Sequence, residues 1–127
     1  MLVDTDVLIW YLRGYVQAAA ALDQLPNFSI SSVTHMEIVQ GMRNKAELAA
    51  FKKMLVQRAA QHLPVTQAIS KKAVDLMESM SLSHGLQMGD ALIAATALEH
   101  QLTLLTGNTK HFLPIPQLVI ETFTVQS

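Results

Sequence analysis

The chain contains no cysteine. That excludes disulfides, thiolate metal centres and cysteine nucleophiles, and it fits a cytoplasmic protein. Aromatic residues are scarce, with one Trp, two Tyr and four Phe. Most are expected in the core, so no platform for stacking single-stranded bases is legible. An excess of charge is missing too: nine Lys and Arg stand against ten Asp and Glu, for a net charge of −1. The protein has no bulk basic field to draw in nucleic acid, so any contact with a polyanion has to be local. Arg43, Lys45, Lys52 and Lys53 form the one sizeable basic cluster, which reads as a solvated helix face. No apolar run approaches the roughly 20 residues that span a bilayer, and the run over residues 91–98 falls far short. The first strand begins almost at Met1, which leaves no room for a signal peptide. Paired histidine spacing is absent as well. His35, His62, His84, His100 and His111 read as structural or surface residues.

Half of the 127 residues are apolar and 15% are charged, a compact globular composition. The length suits one domain over residues 1–127, able to bury roughly two-thirds of the surface its unfolded chain exposes. The apolar pattern alternates between strand and helix. Strands are expected at 2–5, 28–31, 63–65, 102–105 and 118–122. Helices are expected at 6–13, 16–25, from the Ser31/Ser32/Thr34 hydroxyls to about 43, at 46–61, 67–84 and about 89–101, with Gly85 as a C-terminal stop. Such alternation predicts an α/β fold, a parallel sheet of four to five strands covered by helices on both faces.

Acids stand where this pattern should exclude them. "MLVDTDVLIW" places Asp4 and Asp6 at the carboxyl end of the first strand. Thr106 and Asn108 follow the strand at 102–105, Glu37 lies in the helix after the second strand, and Asp90 opens the helix "GDALIAATAL". In open α/β sheets, ligands bind beyond the carboxyl ends of the strands. Taken singly, Asp6 reads as a helix N-cap, Asn108 as a turn residue, Glu37 as a surface glutamate and Asp90 as a helix-dipole partner. Asp4 resists such a reading, because it precedes the expected cap and an isolated buried carboxylate is very costly. Burial becomes tolerable if the acids share a cation. Acids clustered without histidine or cysteine suit Mg²⁺ or Mn²⁺ better than Zn²⁺.

"LVDTDVLI", "MEIVQG", "GDALIAATAL" and "LLTGNTKHF" together resemble, in order and spacing, the PIN-domain ribonucleases, most of all the VapC-type toxins of bacterial toxin–antitoxin pairs. The resemblance runs from Leu2 to Phe112. It implies a three-layer α/β/α fold and metal-dependent cleavage of RNA phosphodiesters, with Mg²⁺ or Mn²⁺ as cofactor. Asp4, Glu37 and Asp90 match the family's first three acids. Asn108 matches the fourth, where its amide makes a weaker ligand, and Asp6 is a weaker ligand too. Thr5 pairs with Asp6 after the first acid, and Thr106 matches a hydroxyl near the metal. The resemblance further implies a homodimer and a cognate antitoxin, whose tail lies in an apolar groove. Trp10, Tyr11 and Leu12 are candidates for lining that groove or for ordinary core.

Two other readings compete. "LVDTDVLI" also resembles the first motif of haloacid-dehalogenase-type phosphatases, with Asp4 as nucleophile and Asp6 as acid/base. Against it, Val7 stands where those enzymes have glycine, and the next acid after Asp90 is Glu99, too distant to share a metal. Alternatively, with Asn108 uncharged, the chain is a PIN fold that binds RNA or protein and cuts poorly.

Overall fold

The three central strands are only two or three residues long and wholly buried, whereas the two edge strands are largely exposed. The computed structural model describes residues 1–125, so the last two positions of the expected 1–127 domain lie outside the described residues. The strands are β1 (Leu2–Val3), β2 (Ser29–Ser31), β3 (Gln61–Leu63), β4 (Leu104–Thr106) and β5 (Ile120–Thr122). The helices are α1 (Thr5–Leu12), α2 (Val16–Asp23), α3 (Ser32–Gln40), α4 (Lys45–Gln57), α5 (Gln67–His84), α6 (Met88–His100) and α7 (Thr109–Phe112). All strand pairs are parallel, in the order β3-β2-β1-β4-β5. The chain winds from β1 out to β3, then returns to lay β4 on the other side of β1. The strand order therefore reverses between β1 and β4, which opens a crevice at their carboxyl ends.

Successive residues of each strand serve opposite faces. Leu2 and Leu104 join a core with Ile69 of α5, the alanines of α6 and Phe112 of α7. Val3, Leu105 and Ile30 join a second core with Val7 and Leu8 of α1, Leu22 of α2, and Phe51 and Met54 of α4. These are the three layers. Helix α6 is lined by Ala91, Ala94, Ala95 and Ala97, all buried, and such small side chains let it lie close to α5 and the sheet. Helix α3 reaches both cores, through Val33 in the first and Ile38 in the second.

Several boundaries differ from the sequence-based expectation. Helix α1 starts at Thr5, with Asp4 as its N-cap, so the cap is Asp4 and not Asp6. Strand β4 starts two residues later and ends one later than expected, so Thr106 lies inside it. Strand β5 begins only at Ile120. Helix α3 ends at Gln40, where Gly41 follows. Helix α7, absent from the sequence reading, is a single turn anchored by buried Phe112. Helix α4 stops at Gln57 rather than near 61, because Ala59 takes a left-handed backbone at φ 52°. The Ala60 amide then bonds back to the Leu55 carbonyl, and the Gln61 amide bonds to the Phe28 carbonyl. That turn starts β3 at Gln61 instead of 63.

A left-handed alanine costs about 1–2 kcal/mol, a cost glycine does not incur, although glycine gains entropy in the unfolded chain. Ala59→Gly is therefore expected to stabilise the protein by about 1 kcal/mol, read as a rise of a few degrees in Tm. A fall in Tm by calorimetry would show that the turn is not strained.

Candidate active site at the carboxyl edge of the sheet

Strand β1 gives way to α1 across one residue, Asp4. As N-cap, its carboxylate Oδ1 accepts a hydrogen bond from the Thr5 amide at 2.8 Å. Its own amide bonds to the Leu105 carbonyl, because β1 and β4 pair in register. The same register brings the Thr106 hydroxyl to Asp4 Oδ2, to which it donates at 2.7 Å. Thr106 Oγ1 in turn accepts from the Asn108 amide at 3.0 Å. Asp4 is only 3% exposed.

Asp6 lies one residue beyond Thr5 at the start of α1. Its Oδ1 accepts from the Val7 amide at 2.8 Å and its Oδ2 from the Gly107 amide at 2.9 Å. A Cβ on Gly107 would come within 2.7 Å of that oxygen and 3.1 Å of the Phe123 carbonyl. Only glycine permits this approach.

Glu37 comes from α3. It is exposed, yet it turns toward the other acids, since the Thr5 hydroxyl donates to its Oε1 at 2.6 Å. Thr5 Oγ1 also lies 3.0 Å from Thr34 Oγ1. The other Glu37 oxygen rests where a Cβ on Gly89 would be, 2.9 Å away. Asp90 follows directly, in the first turn of α6. His111 Nδ1 of α7 sits 3.0 Å from Asp90 Oδ2.

The structure thus gathers Asp4, Asp6, Glu37, Asp90, Thr5 and Thr106 at one edge. Asn108 is exposed, caps α7 without a side-chain cap bond, and reaches the acids through its backbone amide. His111 is the residue that sequence reasoning missed. In the sequence it reads as one more structural or surface histidine, and its only signal is its place in "NTKHF", three residues after Asn108. Trp10 and Tyr11 pack partly buried on the second core, Trp10 edge-on against Tyr15 and Tyr11 with the Arg58 guanidinium 5.0 Å over its ring. A cleft of about 580 Å³ does open beside Glu37, floored by Ile9, Leu12, Ile38 and Met42. Arg13 and Arg43 stand on its rim.

Burial pushes the Asp4 carboxyl up to about 7; the Asp6 charge adds to the shift, and the Thr106 and Thr5 hydrogen bonds oppose it. Burial also raises Asp6, against the Gly107 and Val7 amides. Asp90 is raised by burial first; His111 counters this and Glu37 adds to it. No cation balances Asp4, since the ion pairs among the described residues are Arg43–Glu47, Arg58–Asp23 and His111–Asp90. Nor, among the described residues, do three His, Asp or Glu side chains stand close enough to hold an ion without moving. The donor chemistry still fits a hard cation: oxygen ligands from separate helices and a buried carboxylate lacking a counter-charge.

The family profile described as PIN domain matches residues 1–114. The chain is 40% identical over 125 residues to "Ribonuclease VapC10" of Mycobacterium tuberculosis, covering 93% of this chain and 90% of that one. It is similar to the solved "Toxin-antitoxin complex from Klebsiella pneumoniae", with 33% identity, a TM-score of 0.78, and coverage of 93% of this chain and 94% of that one. It shares its fold with VapBC2 from Rickettsia felis, solved bound to a promoter DNA fragment, at 19% identity and a TM-score of 0.82, covering 97% and 98% of the two chains. Among the described residues, no helix is long and apolar enough to cross a membrane.

A folded pKa near 7, above the ordinary 3.8, means that folding favours the protonated Asp4. Without metal, the contribution of Asp4 to stability is therefore greatest below about pH 4, falls as pH rises toward 7, and levels off above it, a loss on the order of a few kcal/mol. Asp4→Asn should remove most of that slope and melt several degrees above the wild type near pH 8 in chelator. Calorimetry across this range checks it. A wild-type Tm that does not fall between these values would mean that the buried charge is already compensated.

Proposed function

The chain belongs to the PIN-domain family, and from that premise we propose that it is a divalent-metal-dependent endoribonuclease, the toxin of a type II toxin–antitoxin pair. Residues 1–127 are read as one domain, acting in the cytoplasm as a homodimer. One observation carries the reading: a buried carboxylate without a counter-charge, Asp4, sits at the strand-order reversal within reach of the Asp90 charge, and Glu37 in turn lies within reach of Asp90. An acid cluster of this kind repels a phosphodiester unless a cation intervenes. Mg²⁺ or Mn²⁺ suits the all-oxygen donor set.

Bound there, the cation supplies Lewis-acid chemistry, acidifying water and neutralising charge on the phosphate. The protein's own groups divide the remaining work. Asp4 is the rigid anchor, with both oxygens already fixed by the Thr5 amide and the Thr106 hydroxyl. Asp90 is the second ligand. Glu37 is exposed and steered by Thr5, so it can orient the attacking water and accept its proton. Asn108 contributes a neutral oxygen. Asp6, whose two oxygens accept from backbone amides, ligates more weakly and chiefly ties the Gly107 turn to α1. RNA is the substrate. The cognate antitoxin is assigned to the cleft beside Glu37, where an amphipathic tail would lay apolar side chains on Leu12 and Ile38 with an acidic one toward Arg13.

The phosphatase reading loses ground here. It leaves Glu37, which the Thr5 hydroxyl holds at the edge of the acid cluster, without a role.

Two experiments follow. The protein should cleave RNA with Mg²⁺ or Mn²⁺, stop in chelator and leave a generic phosphomonoester intact. Asp4→Asn and Asp90→Asn should each lower the rate by a factor on the order of 10²–10³. Folded enzyme that binds RNA without cutting it at any metal concentration would favour the binding-module reading instead. The second experiment concerns Asn108. Asn108→Asp should raise activity mainly at high metal, and Asn108→Ala should be milder than Asp90→Asn, because it removes a neutral group. If Asn108→Ala is folded and as inactive as Asp90→Asn, Asn108 is a catalytic residue rather than a weak ligand.

A further inference from the structure

We infer that His111 is the positioning residue for Asp90, holding one carboxylate oxygen so that the other is presented to the cation. This rests on the nuclease reading of the acid cluster. Three observations on separate elements carry it.

The first is the contact itself: His111 Nδ1 lies 3.0 Å from Asp90 Oδ2. The second is how the histidine is held. Its neighbour Phe112 is buried in the core, and the Leu113 amide bonds to the Thr109 carbonyl, so the backbone of α7 is fixed. The His111 side chain is nevertheless 53% exposed, against 19% for Asp90, so core packing does not account for where the ring points. The third is the setting of Asp90. The Glu37 carboxylate rests against Gly89, the residue before Asp90, and its charge acts against ionisation of Asp90. Released from His111, the Asp90 side chain would be free to swing away from that repulsion.

The same short segment serves the other acids. The Gly107 amide holds Asp6, and the Asn108 amide holds the Thr106 hydroxyl that bonds Asp4. His111 extends this pattern to α6, so one turn after β4 orders acids from two helices. Outer donors of this kind hold a ligating carboxylate in one orientation, and losing them typically weakens metal binding 10–100-fold. The role needs a donor at the Nδ1 position, not a positive charge. Asparagine places its amide nitrogen near that position. Glutamine, one methylene longer, places it nearer Nε2.

The test uses the full-length protein and Mn²⁺ alone as probe, read by electron paramagnetic resonance, together with kcat and KM on an RNA oligonucleotide. His111→Ala should weaken Mn²⁺ binding by about tenfold or more. It should lower kcat with little change in KM, and recover partly at high Mn²⁺. His111→Asn should restore binding and kcat to within a factor of a few, while His111→Gln should not. Melting temperatures should stay near wild type for an exposed side chain. If His111→Ala binds Mn²⁺ like wild type while Asp90→Asn does not, the inference is overturned. It is equally overturned if asparagine rescues no better than glutamine, a comparison that holds even if the alanine variant folds poorly. If Asp90→Asn itself binds Mn²⁺ and cleaves normally, the nuclease assignment of the site fails, a result distinct from either.

Discussion

Everything at the carboxyl edge depends on one constraint: a carboxylate has been taken out of water at the end of the central strand. Asp4 cannot be moved, because it is at once the last residue before α1, the cap of that helix and a partner of β4 through its backbone amide. The helix N-terminus and two hydrogen bonds favour its charge, but burial and the Asp6 charge outweigh them. The neighbourhood is arranged around that imbalance. Threonine, rather than a cation, meets Asp4 from β4, so the hydroxyl fixes the carboxylate without cancelling its charge.

Glycine does the complementary work. Gly89 and Gly107 are not required here by an unusual backbone conformation, since neither has a positive φ. Their role is one of space: a methyl group at Gly107 would collide with Asp6 and press on the Phe123 carbonyl, and one at Gly89 would displace the flexible end of Glu37. Absent side chains thus set how closely acids from α1 and α3 approach the elements that follow. Helix α3 adds rigidity: with Val33 in one core and Ile38 in the other, it cannot rotate Glu37 out of position without disrupting both.

The layers and the parallel sheet were legible because apolar periodicity reports burial, and the acids stood out because they interrupt it. Segment ends were less legible. Whether α4 runs on past Gln57 depends on Ala59 adopting a left-handed conformation, and nothing in an alanine announces that. The single turn α7 is too short to show periodicity, and His111 was lost with it. Asp6 was read as the cap because the strand was drawn two residues too long. Both Asp4 and Asp6 have cap chemistry, and only the β1–β4 register decides between them. The same register moves Thr106 from the loop into the strand, and so from a neighbour of the site to a hydrogen-bond partner of its first acid.

On the proposed function, cofactor and partner answer the same electrostatic need. The cleft beside Glu37 joins an apolar floor to the acid cluster. A tail lying on Leu12 and Ile38 is thus led toward carboxylates that lack a counter-charge, and a basic side chain at its end would occupy the charge deficit a divalent cation otherwise fills. Inhibition would then need no change in the fold, because occupation of the acids by ammonium or guanidinium leaves no favourable position for the ion. The two occupants differ in what they leave open. A cation keeps positions for water and phosphate, whereas a side chain arriving along the cleft closes the approach with its own backbone. A site built to be short of positive charge is in this way open to catalysis and to neutralisation by the same route.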